Sequence, residues 1–255
     1  MQSKRQIDFP DPLSGLRVAV TGGTSGLGLA FVKELVARGA QVAFVARRRE
    51  LVEAVGREHP GTHGIVGDVS EKNDIYPMAM QIVGELGGLD VLINNASELG
   101  PTPLALLGDT DCEDLERALA TNLVGPFRLT KALLGALAAA AREGRGAVVL
   151  NVSSDAAINA YPQWGAYGAS KAALHHLSRI WDAELVTDGV RFLSLDPGDM
   201  DTPLHALAVP DADPATLKHP EESARELADA IAAALSNREP QSAVQMGDEH
   251  IGEMR

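Results

Sequence analysis

The sequence predicts a single-domain α/β fold, a doubly wound (Rossmann) parallel sheet of about seven strands with helices on both faces. Two observations carry this. Short, nearly continuous runs of β-branched and aliphatic residues recur along the chain, as expected of strands buried on both faces. Longer segments of helical periodicity separate them, each long enough for a right-handed crossover. The chain has 255 residues, and that length suits one such unit. No internal repeat, low-complexity tract or linker breaks the alternation.

The elements follow in order. Residues 1–12 read as a loose N-terminal leader and 13–255 as the domain. Strands are expected at 17–21, 41–46, 64–68, 91–94, 147–153 and 191–196, with a weaker seventh at 242–246. Helices are expected at 27–38, 71–86, 111–142, 167–186 and 220–235. Between 198 and 219, Pro203, Pro210 and Pro214 argue against any long regular helix.

Charge excludes several partners. There are 22 Lys plus Arg against 35 Asp plus Glu, a formal balance of −13. Such a surface repels phosphate backbones and anionic lipid, so neither nucleic acid nor a membrane is expected as a partner. The opening residues carry no apolar core of the signal-peptide kind. The longest apolar stretch, 132–141, reaches half of the roughly 20 residues that cross a bilayer. Cys112 is the single cysteine, which rules out an intrachain disulfide. The expectation is a cytoplasmic protein.

The first strand runs directly into TGGTSGLG, Thr21 to Gly28, within which a helical pattern begins. Gly22, Gly26 and Gly28 allow a tight turn and a close backbone approach to a pyrophosphate, with a helix N-terminus behind it. An ordinary glycine-rich turn is the alternative, but strand, spacing and helix agree on phosphate binding. The TGxxxGxG spacing resembles that of the short-chain dehydrogenase/reductase family, in its shorter single-domain form. The resemblance extends from Leu16 to about Leu235. It implies that Thr21, Gly22, Thr24, Ser25, Gly26, Leu27 and Gly28 cradle a nicotinamide dinucleotide.

At the end of the second strand, where an acid would select the ribose 2′-hydroxyl, stand Arg47, Arg48 and Arg49. A guanidinium pairs bidentately with phosphate oxygens. Arg47 first and Arg48 second therefore favour NADP(H) over NAD(H), the alternative being that they begin a solvated helix. Asp68, followed by Val69, resembles the family's adenine contact, though Asp68 equally suits a helix cap. Asn94, Asn95, Ala96 and Ser97 resemble the family's NNAG loop, with Ser97 in place of the glycine.

Tyr167 and Lys171 are four residues apart and share one helical face. Alone, such a pair is usually a packed aromatic beside an exposed amine. Placed together in a cleft, an ammonium stabilises phenolate and draws a phenol down from its free value of roughly 10. The resemblance supplies partners. Ser154 precedes Tyr167 by the family's thirteen residues and is implied to hold the substrate oxygen. Asn122 resembles the helix-borne asparagine that holds a water linked to the lysine, and Pro197, Gly198 and Thr202 match a PGxxxT stretch that embraces the nicotinamide carboxamide. The implied catalytic set is Asn122, Ser154, Tyr167 and Lys171, with Tyr167 and Lys171 also touching cofactor. The implied chemistry is hydride transfer between NADP(H) and a carbonyl or secondary alcohol, Tyr167 serving as general acid or base.

Other residues draw blander readings. His175 and His176 point to different faces and lack zinc-site companions, so no metal is expected. Asp199 and Asp201 suit turn capping. Tyr161 and Trp164 either line a substrate entrance or pack. Residues 198–219 resemble a substrate-covering loop, and the Leu, Ala and Val residues within it suit a modestly apolar small molecule. The helices at 111–137 and 167–186 are apolar enough for a homodimer or homotetramer of the family's kind. The rival is a non-catalytic dinucleotide-binding regulator on the same fold.

Overall fold

The computed structural model describes residues 11–236. Strand and helix alternate as β1 (Arg17–Thr21), α1 (Gly26–Ala37), β2 (Gln41–Ala46), α2 (Arg49–Glu58), β3 (His63–Val66), α3 (Lys72–Leu86) and β4 (Val91–Asn94). There follow α4 (Cys112–Leu119), α5 (Gly125–Arg142), β5 (Ala147–Val152), α6 (Gly165–Leu185), β6 (Val190–Leu195), α7 (Pro203–Ala208) and α8 (Pro220–Ser236). The strands form one parallel sheet of six in the order β3-β2-β1-β4-β5-β6. The expected strand at 242–246 and residues 1–10 of the expected leader lie outside the described residues.

Period-two alternation sends the strand side chains to two cores. Val18, Val20, Phe44, Ile93 and Leu150 face α1 and α8. Ala19, Val45, Leu92 and Val149 face α3 and α5. Because β1 pairs with both β2 and β4, the chain reverses its winding there, which opens a crevice at the C-terminal strand ends.

The opposite ends of the strands are tied by charge. Asp90, fully buried just before β4, accepts from Arg17 Nη2 at 2.7 Å and from Arg145 Nη2 at 2.8 Å. Its carboxylate also receives the Arg17 backbone N–H at 2.8 Å and Arg145 Nε at 2.9 Å. One side chain thus fastens the starts of β1, β4 and β5.

The expected helix at 111–142 is continuous but irregular. Between α4 and α5 lies a π-helical segment, Ala120–Val124, which inserts an extra residue into the turn. Gly125 follows because α5 passes very close to the α3 side, where an added Cβ would sit 2.6 Å from the Val69 carbonyl oxygen. The 31 residues Cys112–Arg142 are long and apolar enough, by length and composition, to cross a bilayer. Burial of Leu129, Leu133 and Leu137 in the second core accounts for that face.

One stretch differs from expectation: Arg49–Glu58 is a helix, placing only Val52 and Val55 inward. Between 198 and 219, among the described residues, the only α-helix is the six-residue α7, with Pro203 in its first turn, where its missing N–H costs nothing; Thr202 caps that helix by accepting from the His205 N–H at 3.3 Å.

Candidate active site

The glycine turn is shaped by close approach. Gly22 and Gly26 have φ of 71° and 48°, the left-handed region that side chains disfavour. A Cβ on Gly28 would collide with the Gly22 carbonyl oxygen. Ser25 precedes α1 without a side-chain cap, so the first amides of α1 are free to meet an anion. Gly22, Thr24, Ser25, Gly26, Leu27 and Gly28 line a cleft of about 1290 Å³, open mouth included. Thr21 does not line it. Its hydroxyl instead accepts the N–H groups of Asn95 and Ala96, both at 3.0 Å, and so joins the end of β1 to the loop after β4. Asn95 reinforces that joint by donating from Nδ2 to the Thr21 carbonyl at 2.9 Å, while Asn95 and Ala96 reach the cleft wall.

At one end of the cleft stand Arg47, Arg48, Asp68 and Val69. Arg47 is largely exposed, its Nη1 3.8 Å from Asp68 Oδ2. Arg48 precedes the first turn of α2, so the helix-start reading describes Arg48 and Arg49 and leaves Arg47 facing the cleft. Asp68 divides its carboxylate. Oδ1 accepts from the Ser70 N–H at 2.9 Å and hydroxyl at 2.7 Å, as a turn cap does. Oδ2 is turned toward Arg47.

At the other end, α6 carries Tyr167 and Lys171 inward, 8% and 2% exposed. Lys171 Nζ donates to the Val152 carbonyl at 2.8 Å and lies 5.5 Å from the Tyr167 ring centroid. The Ser154 and Ser97 hydroxyls stand close enough to the Tyr167 phenol to favour its ionised form. Burial pushes the phenol up to about 12, partly countered by those two serine hydroxyls. Burial likewise draws the Lys171 ammonium down to about 8, against the pull of Asp196. The expected lowering rests on the nicotinamide's positive charge as well as on Lys171, and the protein alone carries only the latter. In the protein alone, loss of water outweighs the neighbouring cation, which is itself desolvated.

Ser154 accepts the Ala156 N–H at 3.2 Å and donates to Asp155 Oδ1 at 3.1 Å, which fixes its hydroxyl beside the phenol. Asn122, in the π segment, is buried and does not line the cleft. Its Oδ1 accepts the Glu98 N–H at 2.8 Å and the Ser97 hydroxyl at 3.3 Å. Its Nδ2 donates to the Glu98 carbonyl at 2.7 Å and Ser170 Oγ at 2.8 Å. Both ends of the amide are therefore engaged, and the side chain clamps the loop after β4 to α6.

Pro197 and Thr202 line the cleft, whereas Gly198 does not. Ser223 of α8 donates to the Pro197 carbonyl at 2.8 Å, anchoring the loop after β6. Thr202 spends its hydroxyl on capping α7 and packs against Gly26. Trp164 packs edge-on to Tyr167 at 5.6 Å, and Tyr161 donates to Asp155 Oδ2 at 2.7 Å. His175 pairs with Ser194 across 3.0 Å, tying α6 to β6. Ser97 is the residue that sequence reasoning undervalued. Its signal was a hydroxyl where a glycine was expected.

A glycine cradle at a helix N-terminus, a crevice at the sheet's switch point, and a buried Tyr–Lys pair together make a cleft suited to a dinucleotide. The chain matches the short chain dehydrogenase family model over residues 17–213, and it belongs to that family. An uncharacterised oxidoreductase of Mycobacterium bovis is 35% identical over 201 residues, 76% of this chain but only 58% of that relative. The NADPH-bound carbonyl reductase from chicken fatty liver superposes with a TM-score of 0.76 at 26% identity, covering 86% of this chain and 92% of the other. The 3-ketoacyl-(acyl-carrier-protein) reductase from Brucella melitensis, complexed with NADH, gives 0.82 at 26% identity, covering 88% and 94%.

Proposed function

We propose that the protein is an NADP(H)-dependent reductase or dehydrogenase acting between a carbonyl and its secondary alcohol. The observation that carries this is the Tyr167 phenol, bracketed by Ser154 and Ser97 with Lys171 behind it, at the end of the glycine cleft. The residues present fit a dinucleotide: a Cβ at Gly28 would collide with the Gly22 carbonyl oxygen, so the turn can be this close only with glycine, and the uncapped start of α1 suits a pyrophosphate. The bound nicotinamide supplies or receives the hydride.

The chain's own groups do the rest. Ser154 and Tyr167 hold the carbonyl oxygen, and Tyr167 hands its proton to that oxygen as negative charge develops there. In the oxidation direction the same phenol takes the alcohol proton, assisted by the Lys171 ammonium. Lys171 would orient the ribose hydroxyls, Pro197 and Thr202 would face the carboxamide with Gly198 shaping the turn between them, and Asp68 with Val69 would face the adenine. Asn122 is a positioning residue, holding Ser97 and Ser170 where α6 meets the loop. Arg47, with Arg48 in support, favours the 2′-phosphate of NADP(H), since an exposed guanidinium follows the end of β2, where no carboxylate stands in the strand tip itself. Residues 198–219 cover the substrate. The same reading takes the protein as a cytoplasmic homodimer or homotetramer built on one domain.

Tyr167→Phe tests this. NADPH binding, followed by cofactor fluorescence, should persist, while carbonyl turnover falls by roughly 10³-fold or more. Undiminished turnover would remove Tyr167 from the chemistry. A wild-type protein that binds NADPH yet reduces no carbonyl would favour the regulatory role instead.

A further inference from the structure

Tyr167 belongs to a third apolar cluster, separate from the two cores. Leu99 and Ala156 are buried with it, and Leu104, Trp164, Leu204 and Ala208 pack around them half-buried. Outside this wall, apolar side chains face water. Of the ten exposed large hydrophobic residues among the described residues, six are Leu106, Leu107, Ile158, Tyr161, Leu207 and Val209. All six lie on the segments that leave the C-terminal ends of β4, β5 and β6, which are neighbours in the sheet. Ile158 is 72% and Leu107 67% exposed, so the rim has apolar area left open among the described residues.

The charges of those segments are one-sided. Residues 95–111, 153–164 and 196–219 contain no arginine and one lysine, Lys218, which is paired with Glu226 at 2.6 Å. Asp155 stands 3.1 Å from the Ser154 hydroxyl, so the first charge a substrate meets beside the reacting oxygen is negative. A carboxylate or phosphate bound against this wall would lose water and find no unpaired arginine or lysine on these three segments. A polyol would lose hydrogen bonds to a surface of leucine, alanine and tryptophan.

We infer that the substrate is an uncharged, apolar ketone or its secondary alcohol, with its bulky side seated on the wall formed by Leu204 and Leu207, backed by the cluster of Leu99, Trp164 and Tyr167. Anionic carbonyl compounds and sugars are disfavoured. This rests on the reductase reading above, and the test separates the two.

With NADPH saturating, kcat/KM is compared for acetophenone, 4-acetylbenzoate and glucose, the last as an alcohol with NADP⁺. Acetophenone should exceed 4-acetylbenzoate by roughly 100-fold or more, the penalty for burying an unpaired carboxylate, and glucose should be the poorest. Leu207→Lys, an exposed position on the cleft wall, should raise 4-acetylbenzoate roughly fivefold, the upper range for an exposed ion pair. If 4-acetylbenzoate or glucose equals acetophenone, and Tyr167→Phe abolishes that turnover, the substrate class is wrong while the reductase reading stands. If NADPH binds and none of the three reacts, the reductase reading falls and takes this inference with it.

Discussion

Burial of the Tyr–Lys pair fixes the sign of a pH effect that can be worked in advance. With Lys171 near 8 and Tyr167 near 12, the protein enters mildly alkaline solution with its phenol still protonated and its amine losing charge. The rate constant for productive capture of NADPH, kcat/KM for the cofactor at saturating ketone, reports ionisations of the free protein. It should be level below about pH 7 and then fall tenfold per unit above about 8, since only charged Lys171 both orients the ribose and eases the phenol. At pH 9.5 the loss is roughly 30-fold, the charged fraction of a group titrating near 8 being about 3%. Lys171→Met keeps the bulk and removes the charge, so its profile should be low and flat. The same shift acts on stability in the opposite sense. Between about 8 and 10.5 the unfolded chain holds a proton that the folded lysine has lost, so wild-type stability relative to Lys171→Met should rise with pH. Integrated over that interval the gain is about 3 kcal/mol, read from urea midpoints. A wild-type rate level to pH 10, or a falling limb retained in the methionine variant, would refute the reasoning.

Three further outcomes follow from the geometry. Arg47→Asp should weaken NADPH far more than NADH, by roughly 10-fold or more for a lost charge-assisted phosphate contact; equal losses in binding titrations would deny it the 2′-phosphate. Ser97→Gly removes one of two hydroxyls that ease ionisation of Tyr167, so alcohol oxidation at pH 9 should fall roughly fivefold, about 1 kcal/mol, with NADPH affinity unchanged; an unaltered rate would leave Ser97 a spectator. For Asp90, burial would raise the pKa, yet hydrogen bonds from Arg145 and Arg17 bring it from 3.8 down to about 2. Its stabilisation, about 2 kcal/mol, is complete above about pH 4 and is lost as pH falls toward 2. Acid unfolding should therefore begin at a higher pH in Asp90→Asn, and coincident curves would count against the clamp.

What sequence made legible, and what it hid, divides along physical lines. β1, β2 and β4 begin and end as expected because each is an unbroken apolar run between polar or glycine punctuation. Helix α2 escaped notice because ten residues place only two valines inward, too short a pattern to stand out from its charges. The π segment at Ala120–Val124 has no period of its own. It arises where Asn122 is held by Glu98 and Ser170, contacts made far along the chain. Tyr167, Lys171 and Ser154 were legible from their spacing, and the structure brings them together. Their electrostatics were not, since the upward displacement of Tyr167 depends on burial by residues remote in sequence. The duty of Thr21 as a brace was hidden for the same reason, its partners lying 74 and 75 positions away.

The fastening of Arg17 and Arg145 on Asp90 has an architectural consequence. Three adjacent strands are pinned where they start, independently of the loops that leave the lip where they finish. Loops there can be lengthened, shortened or repainted to suit a new ligand while the stapled base maintains the frame. Adaptability at one rim is thus underwritten by rigidity at the other.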